Sequence, residues 1–212
     1  LIGDSDLSLS KIKEDLFADF SSKPIINGNK NDYNQVMFID GKFKIDKDIN
    51  LDSANDMYNR IKIYDSDITV DSSTTIQDGT TPNVENSTNL VRQKYILGVN
   101  NGRTLTNNGT ITLNSTTPDE LKVLVAMGKN TTGIASKAIN DGTITSKINK
   151  GIAIYASDGA EGTNNLNKSI TMDGDSAFGM VGSNANTTNK GNITVNGTSA
   201  TGMYSTEPVA TP

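Results

Sequence analysis

Short runs of alternating apolar and polar residues recur through the second half of the chain, each bounded by Asn and Gly. The run at residues 107–113 (NNGTITL) returns at residues 140–146, 167–172 and 189–195. A second phrase follows the later copies, at residues 151–157, 177–183 and 201–205. Alternation between turn residues is typical of β-strands. Such a unit cannot bury its own apolar face, so the repeat predicts that successive units stack.

The spacing of one apolar position sets the size of this unit. Four isoleucines hold that position, Ile111, Ile144, Ile170 and Ile193, at intervals of 33, 26 and 23 residues. About 20–25 residues make one coil of a parallel β-helix. We therefore predict an all-β fold with a parallel β-helix in which these isoleucines form an internal ladder. Independent antiparallel hairpins are the alternative, but the joint recurrence of both phrases favours stacked coils.

The turn residues and the unequal spacing add two expectations. Asn107, Asn140, Asn167 and Asn189 should align at one turn, because Asn tolerates left-handed backbone and bonds to neighbouring backbone groups. Gly109, Gly142 and Gly191 follow them, where positive φ is expected. The longer intervals contain two predicted insertions, at residues 115–120 and 159–165. Insertions in a solenoid often form its binding face.

The first half of the chain has a mixed pattern. Apolar residues at helical spacing (Leu9, Ile12, Leu16, Phe20) predict a short helix over about residues 9–20. Residues 36–45 predict a hairpin about Asp40-Gly41, and residues 60–70 predict two further strands. Residues 71–90 are loop-like.

Charge divides the chain near residue 95. Residues 1–95 hold 16 acidic and 11 basic side chains, whereas residues 96–212 hold 8 of each. We predict two domains: an N-terminal α+β or β-rich cap or projecting subdomain (1–95), and the β-helix coils (96–212). The net charge of -5 disfavours nucleic acid as a partner.

The chain contains no His and no Cys. Their absence excludes Ser-His-Asp and Cys-His catalysis and any disulfide or Cys zinc site within this sequence. We therefore expect no catalytic, cofactor or metal residues and no enzyme activity. The ligand-binding residues are left unassigned.

Two groups of residues invite a chemical interpretation. Acidic pairs could serve acid–base chemistry or bind calcium, but solvated turns are favoured. The pairs are Asp4/Asp6, Asp46/Asp48, Asp65/Asp67 and Asp173/Asp175. Tyr155, Phe178 and Tyr204 occupy corresponding phrases. Aromatic ladders can stack on sugars, but packing inside the coil is favoured here.

The phrases at residues 140–157 (NDGTITSKINKGIAIYAS) and 189–205 (NKGNITVNGTSATGMYS) resemble passenger coils of type V autotransporter adhesins. They are most similar to the large fusobacterial autotransporters, the group that includes RadD. The resemblance covers about residues 97–207. It implies a right-handed β-helix, extracellular display on the bacterial surface, and anchoring through a membrane translocator outside this sequence.

The predicted function is therefore that of an adhesin passenger segment. It would attach to a host cell-surface receptor, glycan or protein, or to a partner bacterium, without catalysis. A structural spacer that carries no ligand of its own is the first alternative. A β-helix carbohydrate-active enzyme is the second, although clustered Asp, Lys or Arg would be needed and the second half has one arginine, Arg103.

Overall fold

The computed structural model describes residues 2–3, 6–11, 36–39, 41–51, 61–78, 95–116 and 119–207. Within them the chain is built of short strands and one 3-10 helix, Leu9–Lys11. The strands are β1 (Ile2–Gly3), β2 (Asp6–Ser8), β3 (Val36–Ile39), β4 (Lys42–Ile45), β5 (Ile49–Asn50), β6 (Ile61–Tyr64), β7 (Asp67–Val70), β8 (Thr75–Gln77), β9 (Tyr95–Val99), β10 (Thr104–Asn107), β11 (Thr110–Leu113), β12 (Lys122–Met127), β13 (Lys137–Asn140), β14 (Thr143–Ser146), β15 (Ile152–Ser157), β16 (Glu161–Asn164), β17 (Ser169–Met172), β18 (Phe178–Ser183), β19 (Asn186–Asn189), β20 (Asn192–Val195) and β21 (Thr201–Thr206).

These strands form four sheets. Each strand pairs with the strand three places away in the chain, except that β1 pairs with β3 and β2 pairs with β4. Sheet A has the order β1-β3-β6, sheet B β2-β4-β7-β10-β13-β16-β19, sheet C β5-β8-β11-β14-β17-β20, and sheet D β9-β12-β15-β18-β21. Every pairing between the named strands is parallel. The chain is therefore a parallel β-solenoid, as predicted. Its right-handed sense stays a prediction, which crossover chirality favours.

One coil consists of three strands and three turns. Sheet A or D supplies its first strand, sheet B its second and sheet C its third. The first turn joins the first and second strands, the second turn joins the second and third, and the third turn leads into the next coil. These names are used below.

The core is formed by aligned side chains inside the coils. The predicted isoleucine ladder is confirmed: Ile111 aligns with Ile144, Ile144 with Ile170, and Ile170 with Ile193. The ladder also continues toward the N-terminus through Ile76 and Ile49, which the sequence pattern did not reveal. Five of its six members are fully buried, because alternate residues of each strand of sheet C point inward.

An asparagine ladder lies at the second turn. The side-chain Nδ2 of Asn107 donates to Oδ1 of Asn140 at 2.9 Å, Asn140 donates to Asn164 at 2.8 Å, and Asn164 donates to Asn189 at 2.8 Å. The prediction of aligned asparagines is confirmed for three residues and wrong for Asn167. Asn164 takes that place, because the second turn between β16 and β17 is two residues longer than its neighbours.

The glycines of this turn are required for a different reason from the one predicted. Gly109, Gly142 and Gly191 do not have positive φ. A Cβ at Gly142 would instead collide with the carbonyl oxygen of Gly109 in the coil beneath it, and a Cβ at Gly109 with the carbonyl oxygen of Thr74. Close stacking of successive turns therefore excludes a side chain at these positions.

The N-terminal half departs from its sequence prediction. β3 and β4 do not form a hairpin: β3 pairs with β6 in sheet A, whereas β4 pairs with β7 in sheet B, both in parallel. Asp40, the first residue of the predicted hairpin turn, lies outside the described residues. β8 lies within the region expected to be loop. The expected helix over residues 9–20 lies mostly outside the described residues; its first three form the 3-10 helix.

The solenoid sheets run across the predicted domain boundary. β7 pairs with β10 in sheet B and β8 pairs with β11 in sheet C. One hydrophobic cluster extends from Leu9 through Ile76 and Ile111 to Met180. The division of the chain at residues 95 and 96 stays a prediction, but the charge step there does not interrupt these sheets or this core.

Candidate functional site

Three of the four acidic pairs each place one carboxylate where it binds the next coil of the solenoid. Oδ1 of Asp48 accepts the Thr75 N–H at 2.7 Å, Oδ1 of Asp67 accepts the Thr104 N–H at 2.7 Å, and Oδ1 of Asp175 accepts the Thr198 N–H at 2.8 Å. In each case the donor lies one coil further along the chain. These carboxylates satisfy backbone N–H groups between coils, a structural use that the sequence alone did not show.

In two of these pairs the other carboxylate, Asp65 beside Asp67 and Asp173 beside Asp175, also bonds to the next coil. Both carboxylate oxygens of Asp65 accept a hydrogen bond from Asn101 Nδ2 at 2.9 Å, and Oδ1 of Asp65 lies 3.2 Å from Arg103 Nε. Asp173 accepts from Asn196 Nδ2 at 2.7 Å. The single arginine of the second half therefore joins two first turns. Asp4 lies outside the described residues, as does the side chain of Asp6.

Asp46 is held by the 3-10 helix of the preceding coil. Its carboxylate accepts the Ser10 N–H at 2.8 Å and the Ser10 hydroxyl at 2.6 Å. Partial burial alone would raise the pKa of Asp46, but the hydrogen bonds from Ser10 and Ser8 outweigh it, and the pKa is lowered. Asp46 therefore remains ionised and engaged in structure.

Asp71 forms the most strongly perturbed acidic group among the described residues with resolved shifts. Its hydrogen bond with Lys44, together with the Ser73 N–H, lowers the pKa of Asp71 to about 2. The same hydrogen bond raises the pKa of Lys44. Both groups are thus fixed in their charged forms near neutral pH. This is the behaviour of a structural ion pair, and it does not supply an acid or a base that changes protonation near neutral pH.

The described carboxylates are consequently dispersed along the corners. No group of three or more Asp or Glu side chains among the described residues is arranged to hold a metal ion. In the same residues, no helix is both long and apolar enough to span a membrane.

The aromatic residues lie on the outer surface of sheet D, and the prediction that they pack inside the coil is wrong. Tyr155 and Phe178 are half-buried, and Tyr204 is 50 % exposed. They do not form one row either: Tyr155 aligns with Val181 and Val181 with Tyr204, whereas Phe178 aligns with Ile152. The aromatic rings therefore cover the outside of the sheet.

This surface consists of two parallel rows of outward side chains, which we call the D face. The first row is Tyr95, Lys122, Ile152, Phe178 and Thr201, and the second is Gly98, Val125, Tyr155, Val181 and Tyr204. Val125 and Val181 belong to these outward rows and not to the core cluster, yet they are only 1 % and 8 % exposed. Both valines are therefore shielded from solvent although they lie outside the core cluster.

The two longest described turns border the D face at one strand, β12. The third turn before β12 comprises residues 114–121, of which 117–118 are outside the described residues, and the first turn after it comprises residues 128–136. The equivalent turns in the following coil comprise residues 147–151 and 158–160. The predicted insertion at residues 115–120 is confirmed as a longer turn. The one predicted at residues 159–165 is wrong, because β16 occupies most of it.

The turn at residues 128–136, here called the finger, was not predicted. Lys129 and Ala135 form an antiparallel bridge within it, and Asn130 Oδ1 accepts the N–H groups of Thr132 at 3.0 Å and Ile134 at 2.8 Å. It is fixed to both adjacent coils: the Ser136 hydroxyl accepts the Gly102 N–H, and the Gly128 N–H donates to the Ser157 carbonyl. The finger is nine residues long, against three in the equivalent turn of the following coil. This difference accounts for most of the excess length of the 33-residue interval between Ile111 and Ile144. That long interval was the available sequence signal for the finger.

The finger presents an apolar side chain to solvent. Ile134 is 55 % exposed although the backbone around it is held by hydrogen bonds. Leu166, in the enlarged second turn between β16 and β17, is 67 % exposed. Both residues mark irregular turns, where solenoids place their variable contacts.

A cavity of about 660 Å³ opens at the last described coil. Its lining includes Gly162, Thr187 and Met203. Gly162 aligns with Thr187, and Met203 aligns with the fully buried Met180, so part of the lining consists of inward-facing positions. Tyr204, which belongs to the D face, and Glu161 also line the cavity.

This architecture defines a parallel β-solenoid stabilised by isoleucine and asparagine ladders. A family model described as the BigA third pectate lyase-like domain matches residues 37–211, and the chain belongs to that family. The match includes strands on both sides of residue 95. The family and the fold fit a surface-exposed passenger segment of a bacterial surface protein. No curated protein and no solved structure matches the chain.

Proposed function

We propose that this chain is an adhesin passenger segment that attaches bacteria to host cells or to other bacteria by non-catalytic binding. The observation that carries the proposal is the D face, an outward aromatic surface bordered by two enlarged turns on a family scaffold that fits bacterial surface display. The receptor would be a host-cell glycan or protein, or a component of a partner bacterium.

The dispersed carboxylates support binding without catalysis. Asp48, Asp67 and Asp175 each bond a backbone N–H of the next coil. Acid–base cleavage of a glycosidic bond instead needs two carboxylates placed about 5–10 Å apart on either side of it. The pectate lyase-like description of the family keeps a carbohydrate-active enzyme as an alternative, and release of reducing ends from polysaccharides would be its positive result.

The extracellular location is part of the same proposal. The resemblance to autotransporter passengers supports display at the bacterial surface, anchored in the outer membrane through a part of the protein outside these residues. The closer likeness to the large fusobacterial autotransporters rests on the repeat phrases at residues 140–157 and 189–205.

Binding of the purified chain to cultured epithelial cells and to a panel of bacteria tests the adhesin proposal. Saturable binding that unlabelled chain competes away is the expected result. The regular coils alone would suit a spacer, which has no ligand of its own. Absence of saturable binding to every cell type would favour that spacer and contradict the adhesin function.

A further inference from the structure

We propose that Asn196 is a site of spontaneous covalent modification, at which the Asn196-Gly197 pair loses ammonia and becomes aspartate or isoaspartate. This site goes beyond the proposed function, and its chemistry does not depend on adhesion. The chain has four Asn-Gly pairs, at residues 27–28, 101–102, 108–109 and 196–197. The first lies outside the described residues. Among the other three, the surroundings of Asn196 leave the attacking nitrogen free.

The reaction is an attack by a backbone nitrogen on the preceding side chain. Hydroxide takes the proton of the Gly197 N–H, and the nitrogen forms a bond with Cγ of Asn196. The Cγ–Nδ2 bond breaks, and the amide nitrogen takes a proton from water and leaves as ammonia. Water then opens the five-membered succinimide at either carbonyl carbon, so no oxidant or reductant is needed. Glycine favours the attack because its backbone is flexible and it has no Cβ to hinder the approach.

The third turn between β20 and β21 leaves the Gly197 N–H available. The Asn196 N–H donates to the Met172 carbonyl at 2.9 Å, and the Gly197 carbonyl accepts the Ala200 N–H at 3.2 Å. The Gly197 N–H itself has no hydrogen-bond partner within the described part of the chain. Asn196 is exposed, so hydroxide and water can reach its side chain. The attacking nitrogen is therefore free and the reacting carbon is accessible.

At Asn101 the same atoms are engaged in hydrogen bonds. The Gly102 N–H donates to the Ser136 hydroxyl at 2.9 Å, and this hydroxyl donates to the Met127 carbonyl at 2.9 Å. Asn101 Nδ2 donates to both carboxylate oxygens of Asp65 at 2.9 Å. Both the nitrogen and the amide would have to leave these partners before attack. The fold therefore protects this pair, although Asn101 is exposed as well.

At Asn108 the obstacle is packing. Gly109 is buried, and a Cβ on it would collide with the Thr74 carbonyl oxygen in the preceding coil. On the other side, the Gly109 carbonyl oxygen lies against Gly142 of the following coil, where a Cβ would collide with it. A coil on each side therefore prevents the Gly109 nitrogen from moving toward Cγ of Asn108. The turn at Gly197 differs, because β19, β20 and β21 end their sheets and one described coil lies against them.

The modification would break a contact between two coils. Asn196 Nδ2 donates to Oδ1 of Asp173 at 2.7 Å. In either product a carboxylate replaces this donor, and two like charges then repel each other beside Asp173. Isoaspartate also adds one carbon to the backbone before β21, which follows this turn and pairs with β18. We therefore expect the modified chain to open locally at β21.

Incubation of the folded chain at mildly alkaline pH, followed by peptide mapping with mass spectrometry, tests the modification. Conversion replaces an NH group by oxygen at the reacting asparagine, and the fragment masses locate it. Asn196 should react at least about tenfold faster than Asn101 or Asn108, which must first break hydrogen bonds or leave a packed turn. The chain unfolded in urea is the control: there the three pairs should react at similar rates, because the fold no longer protects any of them.

Variants test the effect on the coil. Asn196→Asp, which reproduces one product, should lower the melting temperature and speed amide hydrogen exchange in β21. Asn196→Gln also alters the contact with Asp173 but adds no charge, so it should lower the melting temperature less. Adding Asp173→Asn to Asn196→Asp removes the repulsion and should recover most of the loss.

Faster conversion at Asn196 in the folded chain, together with similar rates in urea, supports the modification site. Equal rates at the three pairs in the folded chain overturn it, as does a faster reaction at Asn101 or Asn108. An unchanged Asn196 after the unfolded chain has been converted overturns it as well. If Asn196→Asp melts at the same temperature as the parent chain, the modification does not loosen β21. Cell binding is measured separately, so none of these results bears on the adhesin function.

Discussion

Asn107 is stacked directly on Val70, and this pairing leaves the buried Oδ1 of Asn107 without a hydrogen-bond donor. Further along the ladder, Asn140, Asn164 and Asn189 each receive a hydrogen bond from the asparagine before them. The side chain of Val70 has no donor to offer. The ladder therefore begins with an unsatisfied acceptor, a defect that costs about 1–3 kcal/mol.

Val70→Thr should relieve this defect, because threonine has the shape of valine and carries a hydroxyl donor. Val70→Thr should lower the free energy of unfolding by about 1 kcal/mol less than Val123→Thr, a matched change at another fully buried valine. Urea unfolding of both variants measures the difference. Equal costs would show that the introduced hydroxyl does not reach Asn107.

Asn140→Ala should destabilise the chain by about 2–5 kcal/mol. The change removes the hydrogen bonds to Asn107 and Asn164 and leaves a buried donor on one and a buried acceptor on the other. Asn189→Ala, at the exposed end of the ladder, is the matched control and should cost less than about 1 kcal/mol. Chemical denaturation checks both. Similar losses for the two variants would mean that burial does not set the strength of the ladder.

Gly142→Ala should be severely destabilising, by about 3 kcal/mol or more, because its Cβ would collide with the carbonyl oxygen of Gly109. At Gly202 an added Cβ would lie 3.8 Å from Cγ2 of Ile193, an ordinary contact. Gly202→Ala should therefore change the stability by less than about 1 kcal/mol. Melting temperatures compare the two, and a mild effect at Gly142 would contradict the close stacking of the second turns.

The ion pair between Lys44 and Asp71 should make stability depend on pH at both extremes. The folded pKa of Asp71, about 2, lies below its ordinary value of 3.8. Its contribution is therefore complete above about pH 4 and is lost as the pH falls toward 2. The raised pKa of Lys44 gives a contribution that is present below 10.5 and lost as the pH rises through the folded pKa.

Asp71→Asn should accordingly flatten the fall in melting temperature between pH 4 and pH 2. The effect is small, because the lysine side chain is half exposed and solvent screens the pair. Asp158→Asn, at an exposed turn residue, is the control. If the melting temperature falls as steeply between pH 4 and pH 2 in Asp71→Asn as in the parent chain, Asp71 does not contribute to acid sensitivity.

The regular coils could be predicted because the same apolar residue recurs at the same place. Ile111 and Ile144 lie between two threonines in phrases bounded by Asn and Gly. The earlier coils were missed because they lack these markers: Val70 stands where the ladder would have an asparagine. Without the turn signal, the strands at residues 36–45 had the pattern of a hairpin.

The alternation of apolar and polar residues did not reveal on which side of sheet D the aromatic residues lie. The strands of sheet D place two consecutive residues inward, Val123 with Leu124 and Ala153 with Ile154. This break in the period of two moves Tyr155 to the outer row. The D face therefore emerges only from the three-dimensional register.

Disulfide trapping tests the continuous stacked register most directly, because the scaffold, the ladders and the D face all depend on it. Thr75 and Thr110 are aligned in adjacent strands on opposite sides of residue 95, whereas Thr143 lies one coil further. Adjacent strands are about 4.8 Å apart, within the span of a disulfide of about 4.4–6.8 Å. The chain has no cysteine of its own to interfere. Mild oxidation should crosslink the Thr75→Cys/Thr110→Cys variant rapidly and leave the Thr75→Cys/Thr143→Cys variant reduced; crosslinking of the second pair without the first would contradict the solenoid described here.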